Sequence, residues 1–123
     1  MLDASALLAF VLKEPGKEVV AKNLTNAVIS TVNLSEVAAK LSERGFEHLS
    51  IRALLPALGM EIVPFDSEDA FAAGELRAAT RPLGLSFGDR ACIALARKRE
   101  IPIATSDSAF HAPSLGLKIL TIC

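Results

Sequence analysis

The chain has no tryptophan and no tyrosine, and six phenylalanines bring its aromatic share to only 5%. A core built from it must be aliphatic and alanine-rich, and a hydrophobic share of 51% is enough to supply one. The two cysteines, Cys92 and Cys123, make neither a disulfide framework nor a zinc pattern, so a reducing cytoplasmic setting is expected. No apolar run approaches the roughly 18 residues that suggest a membrane span. The opening Met1-Leu2-Asp3 lacks the basic and apolar regions of a secretory signal, so neither export nor a membrane association is expected. An excess of one charge is missing too: 13 basic and 14 acidic side chains leave a net charge of −1. That balance argues against tight non-specific adhesion to polyanions. A glycine-rich phosphate loop, a Ser-His-Asp set and a Cys-His pair are all absent.

What is present is an alternation of strand and helix patterns along 123 residues, one domain's worth of chain. Residues 4–13 and 17–24 read as short helices, separated by Glu14-Pro15-Gly16, and Ala27 to Thr31 reads as a strand. Asn33 is expected to cap a helix ending near Arg44 at Gly45, followed by another over 47–58. Glu61 to Phe65 reads as a strand, with Pro64 marking it as an edge. Ser67 and Ser86 are expected to cap helices reaching Thr80 and Arg99, and 101–105 and 117–122 read as the last strands. Such alternation specifies an α/β fold with a parallel sheet. Right-handed crossovers then place the strand carboxyl ends along one rim, where ligand sites form.

Four carboxylates fall at that rim: Asp3, Glu36, Asp89 and Asp107. Each has a local explanation. Asp3 suits an N-cap and Asp107 a turn; Glu36 and Asp89 stand three residues after Asn33 and Ser86, as in a capping box. Their coincidence at one rim is harder to explain locally. Two carboxylates about 5 Å apart repel by roughly 3 kcal/mol at an effective dielectric near 20, a large cost against a domain stability of about 5–15 kcal/mol. Protonation or a hard divalent cation with oxygen ligands, Mg²⁺ or Mn²⁺, relieves it. Such a cation acidifies bound water and neutralises charge on a phosphoryl oxygen, so hydrolysis of a phosphodiester does not require a globally basic protein.

The motifs around these acids resemble those of PIN-domain ribonucleases. The run Asp3-Ala4-Ser5-Ala6-Leu7-Leu8-Ala9 resembles the family's first motif and Ser35-Glu36-Val37 its second. Leu85-Ser86-Phe87-Gly88-Asp89-Arg90-Ala91-Cys92-Ile93-Ala94-Leu95-Ala96 is similar to the third, and Thr105-Ser106-Asp107-Ser108-Ala109-Phe110 to the fourth. The order is the family's, and the wording of the third motif looks most like VapC-type toxins. The resemblance implies a single PIN-like domain over 1–123, a three-layer sandwich with a five-stranded parallel sheet between helices. It also implies an Mg²⁺- or Mn²⁺-dependent endoribonuclease leaving 5′-phosphate and 3′-hydroxyl ends, with Asp3, Glu36, Asp89 and Asp107 at the metal site. Ser5 and Thr105 take the supporting hydroxyl positions. A homodimer and a cognate antitoxin that covers the acidic site are further implications. One departure is plain: only Met1 and Leu2 precede Asp3, where the family has a longer apolar strand.

The remaining polar residues are expected to be structural. His48 lies at a charged helix start, His111 in a loop, and Cys92 on an apolar helix face. Arg97-Lys98-Arg99 complement a helix C-terminus, and Asp66, Glu68 and Asp69 mark a capped helix start. Arg77, Arg81 and Arg90 are candidates for contacts to an RNA backbone, although Arg90 alternatively pairs with an acid. Apolar stripes at Ala38 to Leu41 and at Ile51, Leu54, Leu55 and Leu58 serve the core or a protein partner. Two rival readings stand: a phospho-receiver domain, disfavoured because Asp3 is unpaired and Lys118 lies within a strand, and a PIN-like protein that binds without useful turnover.

Overall fold

In the computed structural model, which describes residues 1–123, short strands feed directly into helices. The order is α1 (Ala4–Val11), α2 (Lys17–Asn23), β1 (Val28–Ser30), α3 (Thr31–Glu43), α4 (His48–Ala57), β2 (Glu61–Val63), α5 (Ser67–Glu75), α6 (Arg77–Thr80), α7 (Phe87–Arg99), β3 (Ile103–Thr105) and β4 (Ile119–Thr121). β1 pairs in parallel with β2, and β3 with β4. Residues 1–3 run between the two pairs. Leu2 N–H donates to the Val28 carbonyl at 2.9 Å, Ala104 N–H to the Met1 carbonyl at 2.8 Å, and Asp3 N–H to the Ala104 carbonyl at 3.3 Å. The spatial order is therefore β2, β1, residues 1–3, β3, β4. The expected five-stranded arrangement is met by four strands in two parallel pairs, joined through the single bridge of Leu2 against Ala104; the next residue, Asp3, already caps α1.

Side chains alternate across this sheet and divide the core in two. Leu2, Ile29 and Ala104 point to the layer of α1 to α4, where they meet Leu7, Val20, Val37, Leu41 and Leu55. Met1, Val28 and Ile103 point to the opposite layer, with Ala73, Leu76, Ile93, Leu95 and Phe110. Cys92 is buried in that second layer, in keeping with a packing role. Burial drives its thiol pKa well above the ordinary value, with the nearby Asp3 charge adding to the effect. Gly16 is one position where glycine is required: φ is +98°, and its Cα faces the Ile122 carbonyl with no room for a Cβ.

Several local expectations change. α3 is capped by Ser30, not Asn33; the Ser30 hydroxyl accepts from Val32 N–H at 3.1 Å. The strand passes into the helix without a loop, so Asn33 lies inside the first turn. Asp66, not Ser67, caps α5 and forms a reciprocal capping box with Asp69. The helix expected to reach Thr80 is divided into α5 and α6. β2 is an edge strand as expected, ending before Pro64. β3 starts only after Pro102, which has no N–H to give to a ladder. The basic end of α7 ties elements together: Arg97 donates to the Leu115 carbonyl at 2.6 Å, Lys98 lies 3.4 Å from Asp69, and Arg99 binds both Glu61 oxygens at 2.6 and 3.1 Å.

Ile29 is fully buried in β1 beside the shortened centre of the sheet. Ile29→Ala is expected to destabilise the protein by about 2–5 kcal/mol, read as a lower denaturant midpoint at unchanged slope.

Candidate metal and nuclease site

Asp3 is the N-cap of α1 and is only 3% exposed. A buried carboxylate is costly unless its oxygens are satisfied, and donors surround this one. Oδ1 accepts from Ser5 Oγ at 2.7 Å and Ala6 N–H at 2.9 Å, and Oδ2 accepts from the Thr105 hydroxyl. The two hydroxyls carry the connection to the end of β3. Ser5 Oγ accepts from Ser106 N–H at 3.1 Å, and Thr105 Oγ1 accepts from Asp107 N–H at 2.9 Å. Burial raises the Asp3 pKa above the ordinary carboxylate value; Thr105, Ser5 and Ala6 pull it back by hydrogen bonding, and the Asp89 charge pushes it up again.

Glu36 lies in the second turn of α3, on the face it shares with Asn33. Its Oε1 accepts from Asn33 Nδ2 at 2.9 Å. Burial is the largest cause of its raised pKa; the Asn33 hydrogen bond opposes the shift, Asp89 and Asp3 add to it, and Lys40 opposes it. Asp89 closes the capping box of α7, accepting from Ser86 N–H at 2.8 Å and Ser86 Oγ at 3.0 Å through Oδ2. Asp89 thus fills its local cap position and also acts on the charges of Asp3 and Glu36.

Asp107 is placed differently. It is exposed, its Oδ1 accepts from Ala109 N–H at 2.9 Å, and its connection to Asp3 runs through Thr105. In these rotamers no three His, Cys, Asp or Glu side chains are arranged to hold one metal ion. The donor set is all oxygen and carries mutual repulsion, which fits a hard cation that retains several of its waters.

Residues 1–114 match the PIN domain family profile. The chain belongs to the PIN-domain family. Membership sets aside the phospho-receiver reading. The fold is shared with a chain of DNA-bound VapBC from Salmonella typhimurium, at a TM-score of 0.75 and 21% identity over 100% of this chain and 97% of that one. A chain of VapBC2 from Rickettsia felis, bound to a promoter DNA fragment, gives 0.71 and 24% over 98% and 96%. A toxin–antitoxin complex from Klebsiella pneumoniae gives 0.75 and 17% over 99% and 96%. No curated protein matches in sequence. No helix of this PIN domain is long and apolar enough to cross a membrane.

Other residues fall into place around the site. Arg90 pairs with no acid. Its Nη1 donates to the Ala73 carbonyl at 3.2 Å, and its guanidinium lies 5.8 Å from the Phe87 ring centre. Arg77 and Arg81 are exposed. His48 and His111 make hydrogen bonds to Ser42 and Thr121. Two residues at the site, Asn33 and Gly88, were not apparent as site residues from sequence. Asn33 is 1% exposed, and the three-residue spacing to Glu36 was the available signal.

A raised pKa in the folded state means that native Glu36 binds a proton more readily than unfolded Glu36. Its ionised form is therefore a stability cost at neutral pH, relieved as pH falls through the raised pKa and fully relieved below the ordinary 4.5. Metal-free Glu36→Gln is expected to be more stable than wild type at neutral pH, with the gap closing on acidification. Denaturation midpoints across pH check this; a gap that ignores pH would contradict the assigned cause.

Proposed function

We propose that the chain is a divalent-metal-dependent endoribonuclease, the toxin half of a toxin–antitoxin pair. The supporting observation is that, in a PIN-family chain, the Asp3 carboxylate is buried at the end of the central segment beside Thr105, and the Glu36 carboxylate packs against Gly88, next to Asp89, with the Asp89 charge among the causes that raise the pKa of both Asp3 and Glu36. Asp3, Asp89 and Asp107 are assigned to hold Mg²⁺ or Mn²⁺, with Glu36 completing the site. When bound, the cation supplies charge neutralisation at the scissile phosphate and a more acidic water.

The chain's own side chains do the rest. Asp3 is fixed by Ser5 and Thr105, so its oxygens are oriented before substrate arrives. Glu36 is half-buried with a raised pKa, which suits a carboxylate that takes a proton from the attacking water. In-line attack of that water on phosphorus forms the new P–O bond and breaks the bond to O3′; the departing O3′ takes a proton from solvent water to become a 3′-hydroxyl, and the other fragment ends in a 5′-phosphate. Exposed Arg77 and Arg81 are assigned to the RNA backbone, where such contacts position a strand without reading its sequence.

The partner assigned to this chain is an amphipathic segment of a small antitoxin protein. It would occupy a groove of about 610 Å³ between α1, α2 and α4, lined by Phe10, Val11, Ala21, Phe46 and Leu54. Lys13 and Lys17 also line it, together with Glu18, so basic charge is in slight excess there and suits an acidic flank. Support comes from the matched Salmonella and Klebsiella structures, which are VapBC and toxin–antitoxin complexes.

Cleavage of total RNA in Mn²⁺ tests the activity. Asp89→Asn keeps the oxygen that caps α7 but removes the charge, and is expected to slow cleavage on the order of 10²-fold. Equal cleavage by both proteins would assign the activity to a contaminant and favour the reading in which the chain binds without turnover. For the partner, the product of an adjacent reading frame is expected to co-purify with wild type and to be lost with Phe46→Asp; retention by both would move the contact elsewhere.

A further inference from the structure

The side chain of Asn33 joins α3 to α7 at the acidic rim. Its Nδ2 donates to Glu36 Oε1 at 2.9 Å and to the Gly88 carbonyl at 3.0 Å, so one buried amide group binds the carboxylate and the residue preceding Asp89 together. The Asn33 Oδ1 is buried with no partner. A side chain kept only to cap a helix would not be expected to leave a buried oxygen unmet.

Gly88 supplies the other half of the arrangement. It lies inside α7 with ordinary helical backbone, so no left-handed conformation calls for glycine. Helical positions prefer alanine to glycine, most strongly in the interior, and Gly88 is the second residue of α7. What a Cβ on Gly88 would overlap is the carbon and both oxygens of the Glu36 carboxylate, the movable end of a flexible side chain, so alanine fits there only by displacing that carboxylate. The carboxylate therefore packs against the bare Cα of Gly88, with its Oε1 held by Asn33.

We propose that Asn33 and Gly88 are positioning residues, one a hydrogen-bonding arm and the other a slot, that fix the Glu36 carboxylate beside Asp89 for cation binding. This rests on the metal-dependent nuclease reading and adds to it the device that orients one ligand. Neither residue touches substrate; both act through Glu36. Groups that orient a metal's ligands typically change metal affinity or activity by about 10–100-fold when removed.

Gly88→Ala is the decisive variant, because helix propensity favours it and loss of folding is not its expected consequence. The experiment measures Mn²⁺ affinity by calorimetric titration, RNA cleavage, and metal-free melting temperature for wild type, Gly88→Ala, Asn33→Ala and Glu36→Ala, and for the Gly88→Ala/Glu36→Ala pair. The expected result is Mn²⁺ binding at least about tenfold weaker in Gly88→Ala with a melting temperature at or above that of wild type. The substitution should have no further effect once Glu36 is already alanine, as groups acting through one another are non-additive. Asn33→Ala should show the same loss of Mn²⁺ affinity. If wild type binds Mn²⁺ and cleaves RNA and Gly88→Ala does both equally well, the positioning roles fall while the nuclease reading survives. The positioning roles fall likewise if Gly88→Ala weakens binding as much without Glu36 as with it. If wild type neither binds Mn²⁺ nor cleaves, both readings fall together.

Discussion

The burial of one carboxylate, Asp3, organises this molecule. It sits at the centre of the sheet, almost completely removed from water, where an ionised group survives only if the protein supplies the hydrogen bonds that water gave up. Ser5 and Ala6 supply two from the first turn of α1, and Thr105 supplies the third from the end of β3. The same contacts complete the tertiary structure. The first strand is too short to hold the two halves of the sheet together through a long ladder, and the polar junction at Asp3 adds side-chain links to the few backbone bonds of residues 1–3. Capping, sheet closure and the acidic site therefore depend on one cluster of atoms.

Charge accumulates around that cluster in graded fashion. Asp3 is satisfied but desolvated, Glu36 is half-desolvated and satisfied on one oxygen, and Asp89 is tied to its cap. Asp107 is outermost, attached through the Thr105 hydroxyl. The inner acids are held by several hydrogen bonds, and the outer one is exposed and caps the short helical turn that follows it. Neutral overall charge is consistent with this. The protein concentrates negative charge at the strand-end rim and ties up basic residues elsewhere, as Arg99 does with Glu61 and Lys98 with Asp69.

The helix starts illustrate how local and functional explanations coexist. Asp89 was legible both as a capping-box residue and as a site acid, and it is in fact the capping partner of Ser86 while its charge raises the pKa of Asp3 and of Glu36. Asp3 caps α1 with the oxygen that also faces Ser5. A rim where parallel strands become helices needs caps, and acids are good caps. The family's acidic motifs thus stand where local structure tolerates them at little cost. Asn33 shows the opposite case. Sequence placed it at a cap because asparagine before an apolar run usually is one, but Ser30 took that position when the strand ran straight into the helix, and Asn33 turned inward toward α7.

Alternating strand and helix patterns, the family motifs, the aliphatic core and the edge position marked by Pro64 were determined by the sequence itself, because each depends on neighbours a few residues away or on a pattern that repeats along the chain. Tertiary structure alone decided which acids sense one another, that Asp107 stands apart, and that Asn33 and Gly88 meet around Glu36 from positions 55 residues apart. Those are relations between packed helices, and side-chain direction at a helix–helix contact is fixed by what lies across it, which no local pattern records.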